Sequence, residues 1–257
     1  MSGTAGNPII HDGGERQWAP GYREFSPAVP LRKEIHCLWV SVITPGTPLT
    51  RVLPDGCTDL IWQSGAGAFV AGPDTGPVPD ARPSGTVLVG ARFRPGAGGA
   101  ALGVPLSELL DQRVDAADLP AVPGGRLPGS LAPAEALRRM ARIAAEMVTE
   151  RPPDRLVLDA ARLLARPGAR ADLVAVRLGL GERQLRRRCQ AAVGYGPRML
   201  TRVLRFRRFL ARAEAAGTAA DLAGLAAEAG YADQAHLTRE STRLAGLPPA
   251  ALVRSRH

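Results

Sequence analysis

Two short clusters of basic and amide side chains lie near the end of the chain, in the stretches RQLRRR and DQAHLTRE. Guanidinium groups donate paired hydrogen bonds to guanine edges and to phosphate oxygens, and carboxamides match adenine in the same way. These residue types are therefore suited to contact with duplex DNA, although a solvated arginine-rich face has the same composition. The candidate contact residues are Arg183, Gln184, Arg186 and Arg187 in the first cluster, and Gln234, His236, Thr238 and Arg239 in the second.

The charge of the chain is concentrated in the part that holds both clusters. Residues 151–257 contain 20 Arg against 9 Asp and Glu, a net charge of +11, whereas residues 1–150 have a net charge of −2. A basic part joined to a nearly neutral part suggests that one domain meets a polyanion and that the other has a different task.

A second group of reactive side chains surrounds a turn at Pro54, where Asp55, Cys57 and Asp59 lie close in sequence. A metal or catalytic site is one interpretation, but Asp-Gly turn chemistry explains the first two residues, and we favour the turn. The three cysteines are far apart, and no HExxH, phosphate loop or Ser-His-Asp order is present. We therefore predict no catalytic residue, no metal and no cofactor, and a protein that is not an enzyme.

Three aromatic residues on candidate strands, Trp39, Trp62 and Phe93, allow two interpretations. They line an apolar effector pocket, or they belong to the core, as aromatic residues on strands more often do. Arg92 and Arg94 could hold an anionic effector next to such a pocket, but a plain surface position is equally consistent with their sequence context.

An internal repeat positions the two basic clusters on helices. In each copy, an apolar-Ala pair is followed by a glycine, a leucine, a second glycine and a proline, with an offset of 51 residues that becomes 52 after the first glycine. The small Ala lets two helices approach, and the first glycine can adopt the positive φ of a tight turn, as a helix-turn-helix requires. Helical spacing buries Leu185 and Cys189 in the first copy and Leu237 and Leu244 in the second. A long helix over 198–216 joins the copies, with Arg202, Arg205, Arg208 and Arg212 along its flanks.

The first half of the chain has the short apolar runs and Pro/Gly breaks that are typical of strands. The predicted strands are Glu34–Ile43, Arg51–Leu53, Asp59–Gln63, Ala68–Ala71 and Thr86–Phe93, and residues 72–85 are predicted to form a surface loop without regular structure. The fold class is therefore α+β, with an N-terminal β-rich domain followed by an all-α C-terminal domain with two helix-turn-helix units. We expect a β-rich domain at 1–115, a helical bridge at 116–150 and the DNA-binding domain at 151–257.

Residues 170–252 resemble the AraC/XylS family of bacterial transcription regulators, through RQLRRRCQAAVGYGP in the first unit and AGYADQAHLTRE and AGLPP in the second. The resemblance implies that Arg183, Arg186 and Arg187 enter one major groove and that Gln234, Ala235, His236 and Arg239 enter the next. This chain has Cys189 and Ser241 where the family usually has aromatic residues, and Gly181 where it usually has a serine cap.

The stretches HCLWV, RVLPDGCTDLIW and ARFRPGAGGAALGVPLSEL also resemble a domain of unknown role that precedes such units in some family members. In the wider family, the N-terminal domain senses an effector or dimerises, so control by an effector is implied by analogy. The predicted partner is double-stranded DNA across two adjacent major grooves. Further candidate partners are RNA polymerase, a small-molecule effector and a second copy of the chain.

A DNA-repair methyltransferase that carries the same helix-turn-helix pair is the alternative function. Its alkyl-acceptor domain uses a four-cysteine cluster, which the two widely spaced cysteines before residue 150 do not supply. The first eighteen residues have no basic leader and no apolar h-region, and no apolar run reaches membrane length. We therefore expect a cytoplasmic protein without a membrane segment.

Overall fold

The computed structural model describes residues 21–45, 50–80, 82–122, 126–217 and 221–255. The first eighteen residues, on which the expectation about a signal peptide rests, lie outside these ranges, as do residues 123–125 of the loop around 120–130. None of the described helices is long and apolar enough to cross a membrane.

An antiparallel sheet of six strands, in the order β1-β2-β7-β4-β5-β8, forms the first half of the molecule, and β3 pairs with β6 in a separate two-stranded ribbon. All five predicted strands are confirmed to within one residue at each end. The strands are β1 Gly21–Phe25, β2 Ile35–Val42, β3 Thr50–Val52, β4 Thr58–Gln63, β5 Gly67–Ala71, β6 Val78–Asp80, β7 Val87–Phe93 and β8 Arg113–Asp115.

The sequence did not indicate three of these strands. β6 lies inside the segment that we predicted to be irregular, and its Pro79 is tolerated because a two-stranded ribbon has open edges where a donor is not needed. β1 is an exposed edge strand, so it lacks the alternation of apolar and polar residues that marks a half-buried strand. β8 is only three residues long, and two of them are charged.

One face of the sheet is covered by α2 (Pro133–Glu150), with α1 (Gly98–Leu102) beside it. Trp62, Phe93 and Ile143 are fully buried between the sheet and α2. The helical bridge that we expected at 116–150 thus contributes its main helix to the core of the sheet. This packing favours a first domain that extends to about the end of α2, and the domain boundary stays a proposal.

The second half of the molecule is helical, in agreement with the predicted α+β class. Its core surrounds α6, whose Val203, Phe206 and Phe209 are fully buried. The helices are α3 Arg155–Leu164, α4 Ala171–Arg177, α5 Glu182–Val193, α6 Pro197–Ala216, α7 Leu222–Ala229, α8 Gln234–Ala245 and α9 Pro249–Ser255.

Candidate nucleic-acid interface

The two predicted helix-turn-helix units are confirmed, and their turns are built alike. Gly179 has a φ of +66° and Gly230 a φ of +89°, the left-handed region that glycine adopts without a steric cost. In both turns, the residue after the glycine donates its backbone N–H to the alanine of the preceding helix at 2.9 Å, from Leu180 to Ala175 and from Tyr231 to Ala226. The pairs α4–α5 and α7–α8 are therefore structural copies, with α5 and α8 as the second helix of each.

The two second helices begin with different caps. The Asp233 carboxylate accepts the His236 backbone N–H at 2.6 Å at the start of α8. Gly181 has no side chain to offer at the start of α5, and the Oε1 atom of Gln184 accepts the backbone N–H of Gly181 at 3.1 Å instead. Gln184 is exposed, as predicted, but its carbonyl oxygen is engaged in capping, so the paired contact with adenine is not open to it in this conformation.

Helix α5 presents a row of free arginines to solvent. Leu185 and Cys189 are buried, as the helical spacing predicted, which turns Arg183, Arg186 and Arg187 outward. None of these three guanidinium groups has an ion pair or a hydrogen bond with the residues that the structure describes. Arg188, which follows them in sequence, points the other way and pairs with Asp154.

A concave region of about 590 Å³ lies beside α5, where α5 meets the first turn of α6. Its charged lining is mainly basic, from Arg183, Arg186 and Arg198, with Glu182 as the acidic member. The first turn of a helix also exposes unpaired backbone N–H groups. This surface next to α5 is therefore suited to an anion such as a phosphate group.

Helix α8 is less basic than α5, and two of its candidate contact residues have contacts within the protein. Gln234, Ala235 and Arg239 are exposed, whereas His236 and Thr238 are half-buried. The His236 ring packs edge-on against Tyr231, with ring centroids 5.2 Å apart, and its ring nitrogen lies 3.4 Å from Arg205. The Thr238 hydroxyl donates to the carbonyl of Gln234 at 2.9 Å. The helical wheel does not include Tyr231 and Arg205, so it did not predict the contacts of His236, whereas the Thr238 hydrogen bond lies within α8 itself.

Two arginines of α6, Arg208 and Arg212, are bound within the protein rather than free. Arg208 donates to the carbonyl of Ala229 at 2.7 Å and to that of Ala165, and burial lowers the pKa of its guanidinium. Arg212 pairs with Glu228. The donors of Arg208 thus close the C-terminal ends of α3 and α7. Some of the arginines that give residues 151–257 their net charge of +11 therefore form contacts within the protein.

A buried carboxylate on α8, Glu240, is a site residue that sequence reasoning missed. Its side chain is 12% exposed and accepts hydrogen bonds from Arg202 at 2.8–3.1 Å, and Arg205 lies 3.7 Å away. Burial works to raise the pKa of Glu240, but the Arg202 hydrogen bonds outweigh it and hold the pKa below its usual range. No sequence signal joins positions 202 and 240, because the contact is between two helices.

The three aromatic candidates for an effector pocket do not come together. Trp62 and Phe93 lie in the core under α2, while Trp39 lies on the opposite face of the sheet, among Cys37, Ile61 and Leu88. Side chains alternate between the two faces along a strand, and these three fall on different faces. A single pocket lined by Trp39, Trp62 and Phe93 is therefore excluded.

The face that carries Trp39 has a compact charged network. The Trp39 indole N–H donates to Asp59 at 2.7 Å, and Arg92 donates to the same carboxylate at 3.1 Å. Burial raises the pKa of Asp59 to about 6 even though Arg92 opposes the shift. Arg94 donates to the Arg32 carbonyl at 2.8 Å. Both arginines that we considered for an anionic effector already have partners.

The turn interpretation of Asp55 and Cys57 is confirmed, since the Asp55 carboxylate accepts the Cys57 backbone N–H at 2.8 Å. Elsewhere, Glu24, His36 and Cys37 place three ligand atoms within 4.8 Å of one another. Arg92 lies 3.8 Å from Glu24, and burial raises the pKa of the Cys37 thiol to about 12. A nearby guanidinium and a protonated thiol both oppose cation binding, so this cluster is a poor metal site.

Residues 174–255 match a family model described as a helix-turn-helix domain, and residues 23–115 match one described as a domain of unknown function. Among solved structures, the chain is similar to ToxT from Vibrio cholerae O395, with 10% identity, a TM-score of 0.44, and coverage of 84% of this chain and 95% of that chain. No curated protein matches the chain. The chain therefore carries an AraC-type helix-turn-helix domain behind a domain of unknown function, and it is a DNA-binding transcription regulator.

Proposed function

We propose that the chain binds duplex DNA by placing α5 and α8 in two successive major grooves, and that the N-terminal domain controls this binding. One observation carries the first part. The N-terminal halves of both helices are open to solvent, whereas their C-terminal ends pack against the rest of the protein. A helix-turn-helix protein uses the N-terminal residues of the second helix to contact base edges.

The two helices contribute unequally. Helix α5 offers Arg183, Arg186 and Arg187 to guanine edges and phosphates, and the basic surface at Arg198 takes a neighbouring phosphate. Helix α8 offers Gln234 and Arg239 directly, Ala235 as an apolar contact, and His236 as a residue that positions the helix. We expect the DNA segment contacted by α5, its box, to contribute more to affinity and to sequence preference than the box contacted by α8.

Control by the N-terminal domain is supported by a contact between the two halves of the molecule. Arg207 of α6 donates to the carbonyl of Asp55 at 3.4 Å and lies 3.9 Å from the Cys57 sulfur. Asp55 lies 3.7 Å from Arg92, which belongs to the charged network beside Trp39. We place the effector on that face of the sheet, because Trp62 and Phe93 are enclosed on the other face.

Alkyl transfer to a cysteine is not part of this proposal. Burial raises the pKa of Cys37 to about 12 and that of Cys189 to about 11, and it also raises the pKa of Cys57. The thiolate is the nucleophilic form of cysteine, so these thiols are poor acceptors near neutral pH.

A spacing experiment tests the proposed binding mode. Successive major grooves on one face recur about every 10–10.5 bp, so a footprint of one subunit should show two different boxes about one turn apart. Insertion of roughly 5 bp between the boxes turns the second box to the opposite face, and affinity should fall to that of the first box alone. A spacer of unchanged length and altered base sequence serves as the control. Unchanged affinity after the 5-bp insertion, at fixed salt, would contradict the two-groove model.

A further inference from the structure

The C-terminal ends of α5 and α8, which we call the recognition helices, lie beside the same short segment of the first domain, residues 73–77, which we call the clamp segment. At Gly194, which ends α5, an added methyl carbon would lie 2.5 Å from Cγ of Pro73. At Gly246, which ends α8, it would lie 3.6 Å from Cγ of Pro77. The clamp segment thus packs closely against the end of α5 and lies next to the end of α8.

The clamp segment is held firmly in the first domain. The carboxylate of Asp74 is 7% exposed and accepts two hydrogen bonds from Arg113, at 2.8 and 2.9 Å. Thr75 donates to Asp111 from both its backbone N–H and its hydroxyl, at 2.7 and 2.8 Å. Asp111 has a φ of +57°, a left-handed conformation that few non-glycine residues adopt. The side chains of Asp74 and Thr75 therefore fix the part of the segment that follows Pro73, and Pro77 is followed directly by β6, which pairs with β3.

The contacts of the clamp segment leave the DNA-facing surface open. They involve the last residues of α5 and α8, whereas Arg183 and Gln234 stand in the first turns. Close packing at Gly99, where an added methyl carbon would lie 2.8 Å from the carbonyl of Ala191, extends the contact with the end of α5. Contacts at the C-terminal ends of α5 and α8 can thus set the direction of both helices without blocking their access to a major groove.

We propose that the clamp segment fixes the two recognition helices relative to each other, so that the first domain sets the geometry with which both units meet DNA. The connecting helix alone would leave each unit free to tilt about its own contacts with α6. A second attachment at the far end of each recognition helix removes that freedom. In this proposal, the first domain helps to position the two helix-turn-helix units for DNA binding.

Hydrogen exchange in the free, full-length protein tests the clamp without DNA. The amides of Gly194 and Gly246 donate to Gln190 and Thr242 at 3.1 and 2.9 Å, so each reports the closure of one helix end. In the double variant Pro73→Gly, Pro77→Gly, both amides should exchange about tenfold faster, because the ring contacts are lost while the Asp74 and Thr75 anchors remain. The matched control is Pro83→Gly, an exposed proline of the same loop, which should leave both amides unchanged.

Exchange that stays unchanged at both amides in the double variant would overturn the proposal, as would equal acceleration in the Pro83→Gly control. If the double variant does not fold, the single variant Pro77→Gly tests the clamp. Its Gly246 amide should exchange faster, and the exchange rate of its Gly194 amide should not change. A second readout rests on the proposed function: the double variant should lose part of the discrimination against the 5-bp insertion. Absence of DNA binding by the unmodified chain would refute the proposed function, and the exchange result would still decide the clamp.

Discussion

Replacement of Glu240 by Gln tests whether an ion pair holds the second recognition helix on α6. The change keeps the size of the side chain and removes its charge, which leaves the guanidinium groups of Arg202 and Arg205 beside each other without an anion. Exposed pairs contribute about 0.2–1 kcal/mol, and loss of one partner from a fully buried pair costs about 3–5 kcal/mol. The side chains of Glu240 and Arg202 are 12% and 24% exposed, so the pair lies between these limits. We expect a loss of about 2 kcal/mol in the free energy of unfolding, because Gln can still accept one hydrogen bond.

The measurement is urea unfolding of the full chain, followed by circular dichroism. A loss of about 2 kcal/mol corresponds to roughly 4–8 °C in Tm for a cooperative unit of this size. The control is Glu228→Gln, which breaks the ion pair between Glu228 of α7 and Arg212 of α6. The side chains of Glu228 and Arg212 are 56% and 42% exposed. That variant should lose less than about 1 kcal/mol. Equal losses in the two variants would refute the view that burial makes the Glu240 pair the stronger one.

Three further predictions follow from the site and its surroundings. Arg187→Ala should weaken binding to the specific duplex by about 1–3 kcal/mol and relax the preference at one base pair in a competition assay, and equal loss on specific and random DNA would remove Arg187 from base reading. Arg208→Ala should instead lower the stability of the fold, because the Arg208 donors close the ends of α3 and α7. Tyr195→Phe should stabilise the chain by about 1 kcal/mol in urea, because the buried Tyr195 hydroxyl has no hydrogen-bond partner among the described residues, and a loss of stability would show that the hydroxyl is satisfied. The pKa of Asp59 is about 6 in the folded state, above the value of about 3.9 in the unfolded state, so the folded state binds more protons between these values. The free energy of unfolding should therefore fall as pH rises from about 4 to 6. Asp59→Asn should remove that slope from stability curves measured across this range.

The sequence predicted the elements whose signal is local. Helical spacing identified Leu185, Cys189, Leu237 and Leu244 as buried positions, and the two positive-φ glycines were predicted from the repeat. Runs of β-branched and aromatic residues located five strands to within a residue. These signals depend on neighbours within one turn or one strand, and such neighbours are visible in a single sequence.

What the sequence could not predict depends on partners far along the chain. The half-burial of His236 requires Tyr231 and Arg205, and the engagement of Arg208 requires the ends of α3 and α7. Trp39 lies on the opposite face of the sheet from Trp62 and Phe93, because Trp39 pairs with Gly90 of β7 whereas Trp62 pairs with Val89. In each case, the surroundings of the side chain depend on contacts between elements, which spacing within one helix or strand does not reveal.

Both helix-turn-helix units pack into the apolar core around α6, and the second unit has charged contacts with α6 in addition. Four arginines of α6 reach the second unit: Arg202 and Arg205 meet Glu240, Arg208 closes the end of α7, and Arg212 pairs with Glu228. Apolar packing is common to both units, with Cys189 and Val193 fully buried in the first and Leu237 and Leu244 fully buried in the second. Ion pairs weaken with salt and with protonation of their carboxylates, whereas apolar packing does not. The pKa of Glu240 lies below its usual range when folded, so its contribution is present near neutral pH and is lost as pH falls through that lowered value. The second unit is therefore the part of the DNA-binding domain that responds to ionic conditions, and it is also the part with fewer free groups to offer a groove.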